Sequence, residues 1–421
     1  MDSNAALVDH LFRTEYGKVL AILCKFLGFS HLQLAEDIVQ DALISAMTDW
    51  AINGVPEHPT AWLVQVAKRK AINELKRNKL KESHQHTIAS SLDAFTELDD
   101  VYLNNEIEDS QLRMIFACCH SSLSIESQIT LTLKTLCGFG VREIAAALLS
   151  TESTIHKRLF RAKEAIRKSN KPFQPPSTVE TTERIDTVSL TLYLLFNQGY
   201  NSTSGNLLIQ KELCLEAMRL VKLLVAHYEN DFKLKALIAL MCFHAARFEA
   251  RLDHKGTLIV FEDQDRSRWN QDLIHIGMHY FKNSLNAKEI SSHHVEARIA
   301  AAHCLAKSFE ETDWELIYEQ YELLSRLKPT PIIQLNLAII ESKISGYNNS
   351  LAKLMALQKD KSLKDYYLLN ASIGIFLIKN GDFKEAIIYL EKTIALNPSK
   401  TEINYLKQQI AICQSNLGVK N

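Results

Sequence analysis

Glycine and proline are scarce in this sequence, with 13 and 8 residues in a chain of 421. Leucine, alanine, isoleucine, lysine and glutamate are abundant instead, and these residues favour helix. No run of alternating β-branched residues is long enough to indicate a sheet. An all-α fold is therefore predicted, and the length suits about two to four domains.

The eight cysteines include no C-x-x-C pair, so neither a zinc knuckle nor a redox dithiol is indicated. Most of them lie among apolar neighbours at helical spacing, which favours reduced cysteines in the core. Cys118-Cys119-His120 is a cluster of soft ligands, but adjacent helical residues point about 100° apart and chelate a metal poorly. Metals and cofactors are therefore not expected.

The chain also lacks a basic and apolar leader at its start, and it lacks an apolar run of about 18 residues. A signal peptide and a membrane span are therefore not expected, and the predicted location is the cytoplasm.

Net charge is only −1, yet the charges are unevenly placed. Basic residues concentrate in 68–81 and in 157–171, and such stretches can follow a phosphate backbone. Residues 93–109 carry acids without any lysine or arginine, so 81–108 is interpreted as an acidic linker. Pro175 and Pro176 stop any helix, so a second linker is predicted at 172–182. These linkers separate three helical modules, at 5–80, 109–171 and 183–421.

The middle module contains a helix-turn-helix pattern. A short amphipathic helix covers Val141–Leu149, a turn covers 150–152, and a second helix runs from there to about Lys168. Such a motif presents the start of its second helix to base edges in the major groove. The residues predicted to lie at the DNA are Ser153, Thr154, His156, Lys157, Arg158 and Arg161.

These residues resemble region 4 of the sigma-70-type factors of bacterial RNA polymerase. Region 4 typically has E-I-A-x-x-L, a turn, and T-V/I-x-x-R-L-x-R-A-K/R. Here 143–148 are EIAAAL and 154–163 are TIHKRLFRAK.

The module 5–80 independently resembles region 2 of the same family. Residues 35–42, AEDIVQDA, are similar to the A-E-D-x-V-Q-E/D motif of the helix that docks on the polymerase clamp. Residues 59–67, PTAWLVQVA, and 71–77, AINELKR, are similar to the next helix, which recognises the −10 element and opens the strands. Two matching modules in the right order make chance similarity improbable.

The resemblance implies a sigma factor and not an enzyme. Such a factor binds the clamp and flap regions of core polymerase, recognises the −35 and −10 promoter elements and promotes initiation. It implies polymerase binding by Asp37, Gln40 and Asp41, which share one helix face at i, i+3 and i+4. The loop Asn53–Pro56 would hold a flipped −10 base. The residues implied in −10 binding and melting are Asn53, Gly54, Val55, Lys68, Arg69, Asn73, Lys76 and Arg77. Trp62 suits a core position, with stacking on DNA as the alternative.

Regions 1.1 and 3 have no room, so the chain resembles the extracytoplasmic-function (ECF) group. One subgroup of it carries a long C-terminal extension with TPR-like helices. Residues 109–120, 194–200 and 262–269 resemble motifs of that subgroup.

The clearest TPR-like unit is 367–400. With Tyr367 as position 1, Gly374 is position 8, Ala386 is position 20 and Pro398 is position 32. A degenerate copy precedes it, since Ala338 and Leu354 lie 36 residues before Gly374 and Leu390. Helical-repeat stacks bind peptides or proteins, so a regulatory partner and control of the sigma module in cis are expected here.

The segment Glu262–Trp269 alternates acids and arginines, which favours a salt-bridged loop beside a packed Trp269. A cation held by Asp253, His254, Glu262, Asp263 and Asp265 is the alternative.

Two other functions compete with the sigma-factor interpretation. One is a TPR-type interaction adaptor, and the other is a helix-turn-helix DNA-binding regulator that acts without polymerase. Binding to core polymerase distinguishes the sigma factor from both.

Overall fold

A computed structural model describes residues 2–79, 100–120, 122–148, 150–168, 178–201, 207–251, 259–363, 366–396, 398 and 400–418. Every regular element in these ranges is helical, so the predicted all-α class is confirmed. The chain forms two compact units, Met1–Leu195 and Phe196–Asn421.

The first unit contains seven α-helices and most of an eighth among its described residues. They are α1 (Asp2–Leu27), α2 (Leu32–Asn53), α3 (Pro59–Lys79), α4 (Asp100–Cys118), α5 (Ile125–Thr135), α6 (Val141–Ala147), α7 (Glu152–Lys168) and α8 (Thr178–Asn201). A 3₁₀ turn at Phe29–His31 separates α1 from α2.

Helices α1, α2 and α3 pack on one another. Leu20, Val39 and Leu63 are fully buried, one from each helix. The rings of Trp50 and Trp62 lie 5.5 Å apart and join α2 to α3, which agrees with a packing role for Trp62.

The first linker boundary differs from the prediction, because residues 100–108 are helical and belong to α4. Lys25 of α1 pairs with Glu106 at 2.9 Å and with Asp109 at 2.7 Å, and Arg113 also pairs with Asp109. The acidic charge of this stretch therefore serves α4 packing on α1. Residues 81–99 of that linker lie outside the described residues.

The second linker boundary also differs, since α8 already begins at Thr178. Its Arg184 donates a hydrogen bond to the Phe116 carbonyl and lies over the Phe116 ring. The first part of α8 therefore packs with α4, and the unit continues to Leu195. Residues 169–177 lie outside the described residues.

The described residues of the second unit form a succession of helices in which neighbours along the chain pack together. They are α9 (Leu207–His227), α10 (Phe232–Ala245), α11 (Gln271–Ser284), α12 (Ser292–Leu305), α13 (Trp314–Leu327), α14 (Pro331–Ser345), α15 (Tyr347–Leu357), α16 (Tyr367–Asn380), α17 (Phe383–Ala395) and α18 (Lys400–Gly418).

Gly374 permits the close approach of α16 to α17, because a Cβ there would lie 2.8 Å from Leu390 Cδ2. Ala386 is fully buried beside them. Ala338 and Leu354 are the residues 36 positions before Gly374 and Leu390, respectively. Both lie in the same apolar cluster as Ala386.

The segment before α11 is held by stacking as well as by ion pairs. Trp269 is 3% exposed, as its predicted packing requires. Arg247 lies 4.0 Å from the Phe261 ring centroid, and Arg266 donates to the His303 and Ala306 carbonyls. Glu262 pairs with two lysines, at positions 343 and 379.

No group of three potential metal ligands occurs among the described residues; Asp253 and His254 of the alternative cation site lie outside them. Cys118 and Cys119 are buried, and burial raises the pKa of the Cys119 thiol to about 11. No helix in the described part of the chain is long and apolar enough to cross a membrane.

Candidate nucleic-acid and polymerase interface

The predicted helix-turn-helix is formed by α6 and α7. Glu143 of α6 accepts a hydrogen bond from the Gly140 amide at 2.7 Å, and the turn closes with Ser150 N donating to the Ala145 carbonyl at 2.8 Å. The Thr151 hydroxyl caps α7 by accepting from the Thr154 amide at 3.2 Å. The motif is thus fixed by its own local hydrogen bonds.

One face of α7 is buried and the opposite face is open. The buried residues are Ile155, Leu159 and Ala162, and they lie with Ile144 and Ala145 of α6 in the core, as predicted. Ser153, His156, Lys157 and Arg161 are exposed, whereas Thr154 and Arg158 are half-buried at the edges. The exposed face carries one acid, Glu152 in its first turn, and is otherwise basic, which suits a polyanion.

Phe160 lies on that exposed face and was not predicted as a site residue. It is 68% exposed, on the same side as His156 and Lys157. Helical periodicity alone could have identified Phe160, because the buried face recurs at 155, 159 and 162 and leaves position 160 on the open side. An apolar ring here offers contact with a thymine methyl group.

Helix α3 presents a second basic face. Arg69, Asn73, Lys76 and Arg77 are exposed, and their spacing of four, seven and eight residues from Arg69 places them together. Arg77 pairs with Glu74 at 2.8 Å, which leaves most of its side chain in solvent. These four predicted −10 residues share one open face.

Lys68 is placed differently from the other predicted −10 residues. It is half-buried beside Glu106 of α4, and burial lowers the pKa of its ammonium group more than Glu106 raises it. The side chain is therefore less open to a ligand than the other bases of α3, which sequence spacing did not reveal.

The loop between α2 and α3 projects from the surface. Asn53, Gly54 and Val55 are exposed, and Gly54 has φ of 80°, a conformation that favours glycine. Nothing lies within 4 Å of a Cβ built at Gly54, so this side of the loop is open. The loop connects α2 directly to the basic face of α3.

The predicted polymerase-binding residues lie on the outer face of α2. Asp37, Gln40 and Asp41 are exposed, and Gln33 donates to Asp37 at 3.1 Å. Ile44 and Met47 continue the same face and are 60% and 59% exposed. Those two apolar side chains were not predicted as site residues, although successive spacings of three residues, from Asp41 to Ile44 and from Ile44 to Met47, pointed to them.

Family comparisons agree with the order of the two modules, with region 2 before region 4. Residues 11–80 match the family model Sigma-70 region 2, and residues 113–166 match Sigma-70, region 4. This chain belongs to the sigma-70-type factors. The region 2 match contains α2 and α3, and the region 4 match contains α6 and most of α7. The candidate faces on α2, α3 and α7 of this sigma factor therefore all fall inside matched regions. The family is one of non-enzymatic transcription initiation factors whose partners are RNA polymerase and promoter DNA.

The sigma factor also carries a C-terminal extension. Residues 184–285 match a family of unknown function (DUF6596). An uncharacterized protein of Rhizobium meliloti (strain 1021) is 32% identical over 384 residues, covering 91% of this chain and 90% of that protein. The similarity therefore includes the extension as well as regions 2 and 4. No solved structure matches the chain significantly.

Proposed function

We propose that this sigma factor is of the ECF type, binds core RNA polymerase through α2, and recognises the −35 and −10 promoter elements with α7 and α3. The observation that carries the proposal is the pair of exposed basic faces on α7 and α3, each opposite a buried apolar face. A simple repressor needs one such face, whereas a factor that reads two separated elements needs two.

Polymerase docking is assigned to the face of α2 formed by Asp37, Gln40, Asp41, Ile44 and Met47. Acids at one end suit basic residues on the clamp. The two exposed apolar side chains lose their contact with water when a partner covers them, and such a buried apolar centre is typical of protein interfaces. This combination of acidic and apolar side chains supports a protein partner for α2, whereas the basic side chains of α3 support DNA as its partner.

Strand opening is assigned to α3 and the loop before it. Exposed Arg69 and Lys76 supply the positive groove that single strands require, and the open loop at Gly54 leaves space for a displaced base. Trp62 is assigned to packing and not to stacking on DNA, because its ring lies against that of Trp50.

The extension is proposed to contain TPR-like repeats that regulate the sigma module in cis or through a protein partner. The close approach of α16 and α17 at Gly374 and Ala386 supports the repeat, as does the upstream copy at Ala338 and Leu354.

The decisive experiment mixes the purified chain with sigma-free core polymerase, separates the mixture by size and tests it for open-complex formation on a cognate promoter. Co-elution and strand opening are expected. Asp41→Arg with Ile44→Asp should abolish co-elution, while Glu391→Lys, an exposed charge reversal on α17, should not. Promoter binding without any polymerase binding would instead favour an independent DNA-binding regulator, and the absence of both would favour an adaptor.

A further inference from the structure

One carboxylate in the second unit lies between two helices of the extension. Glu262 belongs to the segment between α10 and α11, and each of its side-chain oxygens pairs with a different lysine. Oε2 lies 3.2 Å from Lys343 Nζ of α14, and Oε1 lies 3.7 Å from Lys379 Nζ of α16. Burial raises the pKa of Tyr405 of α18, and the charges of Asp263 and Glu262 raise it further, so α18 faces the same acids. The alternate helices α14, α16 and α18 therefore present one common side to this segment.

Lys343 is held in place by contacts other than its pairing with Glu262. Its ammonium lies 4.8 Å from the centroid of the Phe309 ring and 5.8 Å from that of the Tyr347 ring, and its side chain is only 18% exposed. The faces of aromatic rings attract a cation. The position for a carboxylate at Lys343 is therefore kept when Glu262 moves away.

The segment that carries Glu262 comprises residues 259–269 and is here called the strap. It is fixed on both sides of Glu262 by contacts that need no carboxylate. Phe261 lies against the guanidinium of Arg247, with 4.0 Å between Arg247 Cζ and the ring centroid, and buried Gln264 accepts a hydrogen bond from Arg247 at 3.2 Å. Glu262 itself is 42% exposed and is bound through ion pairs. Exposed ion pairs are weak and are screened by salt, so Glu262 is the part of the strap that a competitor can displace.

We propose that the common side of α14, α16 and α18 binds an acidic peptide segment of a protein partner, and that Glu262 occupies the site until such a segment replaces it. The inference rests on the proposed regulatory role of the extension and names the chemistry of its partner. Two lysines that converge on one carboxylate are complementary to an acidic side chain. A nucleic acid fits less well, because it needs an extended basic stripe and exposed Asp263 of the strap repels its phosphates.

The probe is a fluorescein-labelled peptide with the sequence of residues 260–265, VFEDQD, and with both ends blocked. Its binding to the full chain is measured by fluorescence anisotropy. Glu262→Gln removes the internal carboxylate and should bind the peptide about tenfold more tightly than the wild type, because the site is no longer occupied from within. Glu391→Gln, the same change at an exposed position of α17, should bind the peptide as the wild type does.

The dependence on the two lysines identifies the site. In the Glu262→Gln background, a further Lys343→Gln or Lys379→Gln should remove most of the tenfold gain. Lys384→Gln, at an exposed lysine of α17, should leave the gain intact. A peptide that itself carries the Glu262→Gln change should bind weakly to every variant, because it lacks the carboxylate that the lysines recognise.

Unchanged affinity for the peptide in Glu262→Gln would overturn the proposal when circular dichroism shows that the variant is folded. A gain that survives the loss of both lysines would also overturn it. So would lysine-dependent binding of a labelled oligonucleotide in place of the peptide. Failure of the proposed function has a different signature, because polymerase binding and strand opening would then be absent while the peptide still binds through Lys343 and Lys379.

Discussion

The Thr191 hydroxyl of α8 donates a hydrogen bond of 2.8 Å to the side-chain oxygen of Gln128 in α5, and both residues are buried. The amide of Gln128 donates in turn to the Leu123 carbonyl at 3.0 Å. A helix that begins within the second predicted linker is thus tied to the helix that supports the helix-turn-helix. A truncation meant to isolate the sigma module should therefore end after α8 and not near residue 172.

Thr191→Val should destabilise the first unit. It leaves the Gln128 oxygen buried without its donor, which typically costs about 1–3 kcal/mol. Denaturant unfolding measures the loss, and Thr48→Val, an exposed helical threonine, should change stability by less than about 0.5 kcal/mol. Equal effects of the two substitutions would show that the buried hydrogen bond is not the cause.

The exposed basic side chains of α3 should determine the salt dependence of promoter binding. Arg69→Ala and Lys76→Ala should each reduce the slope of log affinity against log salt by about 0.9 if the partner is duplex phosphate. Lys68→Met should reduce the slope less, because its side chain is half-buried beside Glu106. Titration of the polymerase complex at several salt concentrations measures the slopes. Lys288→Ala, an exposed lysine of the extension, is the control and should leave the slope unchanged.

Phe160 should contact a thymine methyl group in the −35 element. Replacing the contacted thymine with deoxyuridine removes that methyl and should weaken wild-type binding roughly fourfold, at about 0.8 kcal/mol for one buried methyl-sized group. Phe160→Ala should bind both DNAs equally, whereas Arg161→Ala should still distinguish them. If deoxyuridine at every −35 thymine leaves wild-type affinity unchanged, Phe160 contacts something else.

The second unit should lose stability as the pH falls from about 6.5 towards 3. Burial, reinforced by Arg247, lowers the pKa of His244 and of His303 to about 3 from the usual 6.5. In this interval the unfolded chain binds protons that the folded chain does not, so each histidine contributes stability that is present above pH 6.5 and lost below it. The slope is at most about 1.4 kcal/mol per pH unit for each histidine.

His303→Phe provides the test, because the ring at 303 packs against Phe261 and Trp314 and can be replaced by another ring. The variant should show a shallower decline in its unfolding midpoint between pH 6.5 and 4. His275→Phe, an exposed histidine of α11, serves as the control and should follow the wild type. Parallel curves for all three proteins would mean that His303 takes up its proton in the folded state.

Helix positions were predicted well where one face of the helix repeats over several turns. Helix α7 is an example, since apolar residues at 155, 159 and 162 predict both its existence and its buried side. The boundaries of α4 and α8 were missed. α4 begins in an acidic stretch and α8 begins shortly after two prolines, so neither start shows a clear helical repeat. Contacts with Lys25 and with the Phe116 carbonyl hold the two helices further along.

The individual site residues divide in the same way. The exposed positions of α2, α3 and α7 follow from the helical period once the buried face is known. The helical period does not reveal which residue a charged side chain pairs with. In sequence, Lys68 and Lys163 cannot be distinguished from the exposed Lys76 and Lys157. In the structure, Lys68 lies near Glu106 and Lys163 pairs with Glu36.

The sequence by itself determined the all-α class, the helix-turn-helix and the two sigma regions, because period, capping residues and short motifs are local properties of the chain. Only the tertiary structure decided which basic residues remain open to a ligand and which are taken up inside. Lys163 and Glu36 are 127 positions apart, and no local pattern encodes a pairing over that separation. The pair forms because α5 packs on both α1 and α7, with Gly17 of α1 close to Leu136 at the end of α5, and α7 then places Lys163 beside Glu36.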